Sequence, residues 1–443
     1  MSKVQAGYKS TRLRDIPEGW EIVSLADVAD PNKPYALTGG PFGSDLKSEE
    51  YTESGVRIIQ LQNIKEGYFS NGYKIYTSEE KANQLFNCNI FPNDIIIAKM
   101  AEPVARACII PNLHERYLMA SDGIRLAVNK QDYSTKYVMY AVNSSYFRKQ
   151  AIDNSTGTTR LRIGLKTLKG LKLLKPSKEE QQKIATILSV VDKGIEKTEA
   201  VIEQTEKVKK GLIQQLLTKG IGHTKLKKAE FGEIPEDWEV KKVEECCENV
   251  FVGIASSTTS SYVSSGVPLI RSQNIKENYL DLQELLFISQ EFSEKNKSKK
   301  LRKNDVITVR TGVHLGYTCV VPEELEDAHT FTTLITRPKR EIINSFYLSL
   351  YINSEFGKKI ILGLKAGGAQ PNLNASVLKK ALIPIPSISE QKRIVEILDS
   401  INNKIVNEKI KLQNLRALQK GLMQSLLTGK VRVKADETEV TQV

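Results

Sequence analysis

The sequence predicts an α+β fold made by internal duplication: a globular α/β domain followed by a long helix, present twice. Three observations predict this arrangement. First, five phrases recur in the same order about 210 residues apart, so that residues 55–68 return as 266–279 and residues 210–220 return as 420–430. Second, short β-rich runs bounded by glycine, proline and asparagine lie inside each repeat. Third, each repeat ends in a long stretch with apolar residues at helical spacing.

Length and composition allow several domains and favour a polyanionic partner. The chain has 443 residues, of which 40% are hydrophobic and 26% are charged, as in an ordinary globular protein. No apolar run of about 18 residues occurs and the N-terminus lacks the apolar core of a signal peptide, so we expect no membrane span and a cytoplasmic location. The formal net charge of +12 favours nucleic acid as the partner.

The first repeat opens with a domain at residues 1–175. Runs such as VRIIQL at 56–61 and DIIIAK at 94–99 predict strands, and the stretch 134–151 predicts helix. The second domain, at residues 221–385, repeats this order. Both domains are therefore predicted to mix strands and helices in one globular α+β unit.

The second part of each repeat is predicted to be one long helix, at residues 176–220 and 386–430, with a tail at 431–443. Apolar residues recur at steps of three, four or seven, which gives each helix a single apolar stripe. Ser177 with Glu180 suits a capping box at the helix start, and the second copy repeats the pattern. Because a single stripe must be buried, we expect the two helices to pair as an antiparallel coiled coil. The alternative is that each helix packs only on its own domain.

The motifs that carry catalysis are missing from the sequence. There is no GxxxxGK[ST] phosphate loop, and GGPFG at 39–43 does not match a dinucleotide fingerprint. No Pro-Pro pair exists, as an amino-methyltransferase loop would need, and EVK at 239–241 is a weak match to a nuclease metal site. The histidines form no HxxxH pair and the cysteines form no CxxC pair, so neither a metal site nor a disulfide framework is expected. The sequence therefore favours binding over catalysis.

Three shared motifs link the chain to a known family. Each domain opens with IPE-[GD]-WE, each helix opens near Glu-Gln, and each helix closes with GL-x-Q-x-LLT. This arrangement, which covers nearly the whole chain in both copies, resembles the specificity subunit of a Type I restriction-modification system. The resemblance implies that the two globular units are target recognition domains, each reading one half of a bipartite DNA target. Because the copies diverge between their shared motifs, the target is expected to be asymmetric.

The resemblance also implies partners and a division of labour. The helices would set the spacing between the half-sites and dock two modification (methyltransferase) subunits. Those subunits would carry S-adenosylmethionine and methylate adenine, and restriction (translocase/nuclease) subunits would join them to cut DNA. This chain would then bind no cofactor and no metal, as a non-catalytic subunit that binds double-stranded DNA.

Candidate DNA-binding residues lie on loops where the two copies differ. Such loops combine glycine flexibility with side chains that can donate to base edges or phosphates. The alternative is that they are ordinary surface turns. The candidates in the first domain are Lys99, Arg106, Arg160 and Arg162, and those in the second are Arg310, Thr311, His314, Lys365, Gln370 and Asn372.

Candidate partner-binding residues lie at the two ends of each long helix, where the resemblance implies docking. They are Glu180, Gln181, Leu212, Gln214 and Leu216 in the first copy and Glu390, Gln391, Leu422, Gln424 and Leu426 in the second. Other recurring residues are better explained by the fold. Those predicted to hold a turn are Gln62, Asn63, Gln273 and Asn274. Those predicted to anchor the cores are Trp20 and Trp238.

Two other functions stay open from the sequence: a non-catalytic coiled-coil scaffold that binds proteins, and an RNA-binding protein with a coiled-coil arm. The basic balance and the arginine- and lysine-bearing variable loops argue against the scaffold. The duplication argues against RNA, since two readers on a helical rod suit a two-part duplex site. Binding to duplex DNA compared with structured RNA separates these functions.

Overall fold

The computed structural model describes residues 7–11, 15–100, 102–230, 232–363 and 372–433. Its contacts divide the chain into two units. Unit 1 contains residues 1–199 and 411–443, and unit 2 contains residues 200–410. Each unit therefore holds one globular domain together with segments of both long helices. The unit boundaries fall inside those helices rather than between a domain and its helix.

The strands of unit 1 form two principal sheets. They are β1 (Tyr8–Ser10), β2 (Asp15–Pro17), β3 (Glu21–Ser24), β4 (Leu37–Gly39), β5 (Tyr51–Thr52), β6 (Val56–Ile59), β7 (Ile75–Thr77), β8 (Asn89–Ile90), β9 (Ile95–Ala98), β10 (Ala107–Ile109), β11 (Tyr117–Met119), β12 (Gly123–Leu126) and β13 (Lys172–Lys175). One sheet has the order β10-β9-β12-β4 and the other the order β5-β7-β6-β11-β8. Neighbours in both sheets are antiparallel except β6 and β11, which run parallel. The fully buried strands β6 and β9 confirm the two apolar runs that predict strands.

The helices of unit 1 include the first half of the first long helix. They are α1 (Leu25–Val28), α2 (Glu79–Gln84), α3 (Thr135–Asn143), α4 (Ser145–Asp153), α5 (Leu165–Gly170) and α6 (Lys178–Lys219). Ser134 caps α3 by accepting a hydrogen bond from the amide of Tyr137, and Ser144 caps α4 by accepting one from the amide of Phe147. The predicted helical stretch at 134–151 is therefore two helices, because a second cap interrupts it.

Unit 2 repeats this architecture. Its strands are β14 (Leu226–Ala229), β15 (Gly232–Pro235), β16 (Glu239–Lys242), β17 (Cys247–Val252), β18 (Tyr262–Val263), β19 (Val267–Ile270), β20 (Ile275–Lys276), β21 (Tyr279–Leu280), β22 (Leu286–Ile288), β23 (Val306–Thr308), β24 (Thr318–Val320), β25 (His329–Thr330), β26 (Leu334–Pro338) and β27 (Leu382–Ile385). Its helices are α7 (Val243–Cys246), α8 (Gln290–Lys295), α9 (Ser345–Asn353), α10 (Glu355–Gly363), α11 (Ala375–Lys380) and α12 (Ile388–Leu426), the last of which continues into unit 1. The sheet orders β17-β26-β23-β24 and β18-β22-β19-β25 match the two sheets of unit 1, except that the edge strand β8 has no counterpart in the second sheet of unit 2. The parallel pair β19–β25 matches β6–β11.

The internal duplication is confirmed at the level of single side-chain contacts. The phenol of Tyr137 in α3 donates to Leu174 O at 2.8 Å. The phenol of Tyr347 in α9 donates to Pro384 O at 3.0 Å. Each bond ties a helix of the globular domain to the strand that precedes the long helix, so both units connect domain and helix in the same way.

Each main core is closed by a leucine pair from the other repeat. In unit 1, Trp20 is fully buried in a cluster that includes leucines 426–427, from the end of the second repeat. In unit 2, Trp238 is buried in a cluster that includes leucines 216–217, from the end of the first repeat. The predicted role of both tryptophans as core anchors is confirmed.

The two long helices pair within each unit. In unit 1, Glu199 of α6 accepts a hydrogen bond from Arg416 of α12 at 2.6 Å. In unit 2, Glu206 of α6 accepts one from Lys409 of α12 at 2.8 Å. Residue numbers rise along α6 as they fall along α12, so the helices are antiparallel, as predicted. Buried residues at both helix starts also join the main cores, so each helix packs on a globular domain as well as on its partner helix.

Candidate nucleic-acid interface

In unit 1, several loops meet at the edge of the sheet where β9 ends and β12 begins. The amide of Lys99 donates to Asp122 O at 2.7 Å, and the amide of Ile163 donates to Lys99 O at 2.9 Å. Beside them, the amide of Gly40 donates to Gly123 O at 2.8 Å. We call this region the loop edge of unit 1 and define it as Lys99, the turn 120–123, the loop 40–45 and the hairpin 156–162.

The hairpin at 156–162 carries two of the predicted arginines. Thr156 and Arg162 exchange backbone hydrogen bonds at 2.9 Å. Gly157 has a φ of +100°, and a Cβ there would lie 2.5 Å from Arg160 O, so the turn requires glycine. Arg160 is exposed, while Arg162 donates to Asp122 Oδ1 at 2.8 Å and stays 49% exposed. Both guanidinium groups are therefore accessible to a phosphate or a base edge.

Arg106, a further predicted DNA contact, is engaged in the fold. Its guanidinium donates to three backbone carbonyls: Ile64 O at 2.7 Å, Leu61 O at 2.8 Å and Glu102 O at 2.9 Å. These bonds hold the turn at Leu61–Asn63 close to the start of β10. The geometry gives Arg106 a role inside the domain, and its contact with DNA stays a prediction.

A cavity of about 340 Å³ opens beside the loop edge of unit 1. Its lining includes the polar side chains of Gln60, Gln62 and Asp122 and the ring of Phe42. That ring is 82% exposed, so it is accessible for stacking on a planar group. Sequence reasoning missed this cavity. A signal in the sequence that could have indicated it is the difference between Gln60 and its counterpart Arg271, two residues before the repeated segment 62–66.

Unit 2 builds the same edge with different side chains. The amide of Leu373 donates to Arg310 O at 2.9 Å, and the amide of Gly253 donates to Thr333 O at 3.0 Å, which reproduces the backbone frame of unit 1. The Arg310 guanidinium also donates through Nε to Leu373 O at 3.2 Å. We call this region the loop edge of unit 2 and define it as residues 310–317, the turn 332–333, the loop at 253 and Asn372.

The other predicted DNA contacts of unit 2 differ in their surroundings. The His314 ring stacks on Tyr317, with centroids 4.8 Å apart and an interplanar angle of 28°. The exposed members are Thr311 and Asn372. The members that lie outside the described residues are Lys365 and Gln370. The structure therefore brings Arg310, Thr311, His314 and Asn372 to one edge.

The predicted partner residue Glu180 lies inside unit 1, near the start of α6. Its carboxylate accepts a hydrogen bond from Trp20 Nε1 at 2.9 Å. It also accepts a bidentate pair from Arg432, through Nε at 2.9 Å and Nη2 at 3.0 Å, and the hydrogen bond with Glu180 raises the pKa of Arg432. We call Trp20, Glu180, Arg432 and leucines 426–427 the helix-end lock of unit 1. The Glu180 side chain is only 5% exposed within it.

Unit 2 contains an equivalent helix-end lock, formed by Trp238, Glu390, His223 and leucines 216–217. Glu390 accepts a hydrogen bond from Trp238 Nε1 at 3.1 Å, and its Oε1 lies 2.8 Å from His223 Nε2. The amide of Ile221 donates to the same carboxylate at 2.9 Å. The phrase GL-x-Q-x-LLT therefore recurs because each copy helps to close the core of one unit.

The glutamines that follow these glutamates are buried as well. Gln181 and Gln391 are each 0% exposed. Each accepts a hydrogen bond from the amide of the residue that caps a domain helix, Ser134 in unit 1 and Asn344 in unit 2. These contacts attach the start of each long helix to a globular domain. For all four predicted residues at the helix starts, a role inside the unit explains the position, and contact with a partner stays a prediction.

At the helix ends, the predicted partner residues include buried and exposed members. The members that pack into or against the cores are Leu212, Leu216, Leu422 and Leu426. Gln214 and Gln424 are exposed. Gly211 and Gly421, three positions earlier on the same helix face, are also exposed, and a Cβ at either would meet no atom within 4 Å. We call residues 210, 211 and 214, with 420, 421 and 424, the KGxxQ faces.

The recurring turn at Gln62 and Asn63 has one structural and one exposed member. Asn63 is buried, and its amide donates to the carbonyls of Ser70 and Tyr73 at 3.0 and 2.9 Å. Asn274 is buried in the same way in unit 2, so the predicted framework role is confirmed for both asparagines. The glutamines, Gln62 and Gln273, are both exposed, and their framework role stays a prediction.

The described residues offer neither a metal site nor a reactive thiol. Within the described ranges, no group of three or more histidine, cysteine, aspartate and glutamate residues could hold a metal ion. All five cysteines are free and buried, and burial raises the pKa of Cys88 to about 11 and that of Cys108 to about 12. Such thiols stay protonated at neutral pH. None of the helices in this part of the chain combines the length and the apolar content that crossing a membrane requires.

Known proteins are similar in sequence to this chain over most of its length. The family model of the Type I restriction modification DNA specificity domain matches residues 17–207 and 235–416. The chain is 27% identical to the Type I restriction enzyme MjaVIII specificity subunit of Methanocaldococcus jannaschii, over 97% of each protein. It is 24% identical to the Type I restriction enzyme EcoBI specificity subunit of Escherichia coli, over 91% of this chain and 85% of that protein.

The fold is also similar to a solved structure, a Type-I restriction-modification system S subunit from M. genitalium. The TM-score is 0.55 at 16% sequence identity, and the match covers 96% of this chain and 98% of that one. At this identity the similarity concerns the fold alone. The family model, by contrast, matches the sequence once in each repeat and spans most of its length. The chain therefore belongs to the family of the Type I restriction modification DNA specificity domain.

Proposed function

We propose that this chain is the specificity subunit of a Type I restriction-modification complex and directs it to one bipartite, asymmetric DNA target. Each globular domain reads one half-site in duplex DNA. The observation that carries this proposal is the pair of loop edges, which share a backbone frame but present different side chains. Two copies of one frame suit two half-sites, and different side chains suit different bases.

The side chains on the loop edges have the chemistry that DNA contacts need. Arginine donates in pairs to guanine O6 and N7, and amide side chains pair with adenine, whereas lysine and small polar groups suit phosphates. The net charge of +12 adds a sequence-independent attraction for duplex DNA. The residues that we assign to this role are Lys99, Arg160, Arg162, Arg310, Thr311, His314 and Asn372.

In this proposal the long helices set the distance between half-sites and dock two methyltransferase subunits. Helix α6 has 42 residues, which corresponds to about 60 Å at 1.5 Å per residue and exceeds the roughly 34 Å of one DNA turn. Glycine in a helix costs about 1 kcal/mol relative to alanine. Gly211 and Gly421 each carry this cost, although a Cβ at either position would meet no atom within 4 Å in its unit. Close approach of the same partner to both KGxxQ faces would explain why the glycines recur.

In this complex the chain selects the DNA sequence, and its partners carry out catalysis. The methyltransferase subunits would bind S-adenosylmethionine and methylate adenine, and restriction subunits would join the same assembly. We assign no cofactor and no catalytic step to this chain. The names of the relatives as specificity subunits of restriction enzymes support this division.

The two competing functions explain less. A protein-binding scaffold gives no reason for the accessible arginines of the loop edges. An RNA-binding protein gives no reason for two readers that keep one backbone frame and exchange its side chains. Both alternatives predict that the purified complex prefers no duplex sequence.

The test is to co-express the chain with the methyltransferase subunits of its own system and to sequence the methylated adenines in the host DNA. We expect one split, asymmetric motif that disappears when this chain is omitted. Arg160→Ala should relax one half of the motif and Arg310→Ala the other half. Lys136→Gln, an exposed change on α3, is the matched control. An assembled complex that methylates no motif, or a palindromic one, would contradict the proposal.

A further inference from the structure

One turn is nearly identical in the two domains although their other loops differ. The segment QNIKEGY at 62–68 returns as QNIKENY at 273–279, and the one exchange, at Gly67 and Asn278, keeps the backbone in the same left-handed region, with φ of 85° and 66°. We call these segments the twin turns. Because the copies have diverged around them, each shared side chain needs a reason.

Part of the identity is explained by the fold. The buried asparagine of each twin turn holds the turn closed, as described above for Asn63. Glu66 forms an ion pair with Arg148 of α4 at 3.0 Å, and Glu277 forms the equivalent pair with Lys358 of α10. These contacts attach each turn to a helix of its domain, and they pair the one acidic side chain of each segment with a basic residue.

The shared isoleucines, Ile64 and Ile275, are buried in the cores, whereas the remaining shared side chains are accessible to solvent. Tyr68 is 64% exposed and Tyr279 is 60% exposed. Within the part of the chain that the structure describes, neither phenol has a hydrogen-bond partner. The glutamines at 62 and 273 are exposed, and the lysines at 65 and 276 are half-exposed. An exposed phenol, an amide and an ammonium group thus recur in both domains without a role in packing.

This recurrence is explained if both domains contact the same chemical structure. Two half-sites of different sequence have only their sugar-phosphate backbone in common, and glutamine, lysine and tyrosine are all donors to phosphate oxygens. Gln62 also lines the cavity beside Gln60, whose counterpart Arg271 differs. At least one of the shared donors, Gln62, therefore lies next to a position that varies between the readers.

We propose that the twin turns contact the DNA phosphate backbone and hold each domain in register on its half-site, whatever the base sequence. The contacting groups are Gln62, Lys65 and Tyr68 in the first domain and Gln273, Lys276 and Tyr279 in the second. This inference rests on the proposed function, since it assumes that both domains bind duplex DNA.

The experiment measures DNA binding by the assembled complex with its methyltransferase subunits, at several salt concentrations. One variant combines Gln62→Ala, Lys65→Gln and Tyr68→Phe, and the other combines the equivalent changes Gln273→Ala, Lys276→Gln and Tyr279→Phe. We expect each to weaken binding about tenfold, on the methylated motif and on a scrambled duplex alike, and to lower the slope of log affinity against log salt by about one. Lys136→Gln, which removes one exposed lysine elsewhere, should leave the slope unchanged.

Three results would overturn the inference. Wild-type affinity and salt slope in both variants would show that the twin turns do not touch DNA. A changed methylation motif would make them base readers, and loss of the methyltransferase subunits with normal DNA affinity would make them a protein dock. These outcomes differ from failure of the proposed function, in which the unmodified complex itself would show no preference for its motif.

Discussion

The two helix-end locks place a glutamate carboxylate and a tryptophan indole beside different basic residues. Glu180 faces the guanidinium of Arg432, which donates through two nitrogens and stays charged at any pH near neutrality. Glu390 faces His223, whose Nδ1 also lies 3.2 Å from Asp237. The lock of unit 1 is the one to test first, because its carboxylate accepts a bidentate, charge-assisted pair.

We expect Glu180→Gln to destabilise unit 1 by about 2 kcal/mol, because an amide cannot accept the bidentate, charge-assisted pair from Arg432. The measurement is urea denaturation followed by fluorescence. The chain has two tryptophans, so a Trp238→Phe background leaves Trp20 as the reporter of unit 1. Glu196→Gln changes an exposed carboxylate elsewhere on α6 and should leave the midpoint as it is. Equal midpoints for the two variants would show that the lock does not hold unit 1 together.

The sequence predicts the roles of some residues and not of others, for physical reasons. The tryptophans are predictable because a large aromatic residue that recurs at a domain start nearly always anchors a core. Glu180 is not, since a glutamate three positions after a serine looks the same in a capping box and in a buried acceptor site. The residue that distinguishes these two roles is Arg432, which lies 252 positions away in the sequence. The bonds of Arg106 within the fold were not predictable for the same reason, because two of its three carbonyl partners lie 42 and 45 positions earlier.

The long helices are held together more by packing than by ion pairs. The pairs Glu199–Arg416 and Glu206–Lys409 have side chains between 46% and 61% exposed, so each contributes about 1 kcal/mol or less. The apolar stripe carries the pairing, and its helical period made both helices and their antiparallel contact predictable. The exposed face was less predictable, because spacing alone does not indicate which exposed residues a partner uses. Internal recurrence supplies that information for the KGxxQ faces.

Gly211→Ala and Gly421→Ala should each stabilise the isolated chain by about 0.5 to 1 kcal/mol, since alanine favours the helix and its Cβ meets no atom within 4 Å. Both should nevertheless weaken association with the methyltransferase subunits, measured by titration calorimetry, if the KGxxQ faces are docks. The matched control is Gly194→Ala in α6, whose Cβ would make ordinary contact with Leu415 at 3.7 Å. It should stabilise the chain without affecting association. Unchanged association in all three variants would remove the KGxxQ faces as docking sites.

Considered as a whole molecule, each unit is completed by the repeat to which its domain does not belong. Unit 1 takes leucines 426–427 and Arg432 from the end of the second repeat, and unit 2 takes leucines 216–217 from the end of the first. In unit 1, the Tyr8 phenol also donates to Gly429 O at 2.6 Å. The duplication itself was predictable from the repeated phrases. The exchange of helix ends was not, because a repeat shows that a surface is used twice but not which core it joins.

A chain that ends at Gly421 should lose the main core of unit 1 and keep unit 2. It lacks leucines 426–427 and Arg432, whereas every residue of unit 2 is present. Trp20 should become accessible to quenchers while Trp238 stays protected, as measured in single-tryptophan backgrounds. A chain that ends at Val433 keeps all the described contacts of the lock and should behave as the full-length chain. A protected Trp20 in the shorter chain would contradict the exchange of helix ends.

The exchange of helix ends also determines the order in which the two cores can form while the chain is synthesised. Residues 200–410 contain everything that unit 2 needs, so its core can close while the last part of the chain is still on the ribosome. Unit 1 is the first to be started, but its core stays open until residues 426–432 have been made. If translation stopped between residues 410 and 426, the core of unit 2 would therefore be complete and that of unit 1 would not. A complete core in unit 1 therefore requires a chain that has been made at least to Arg432.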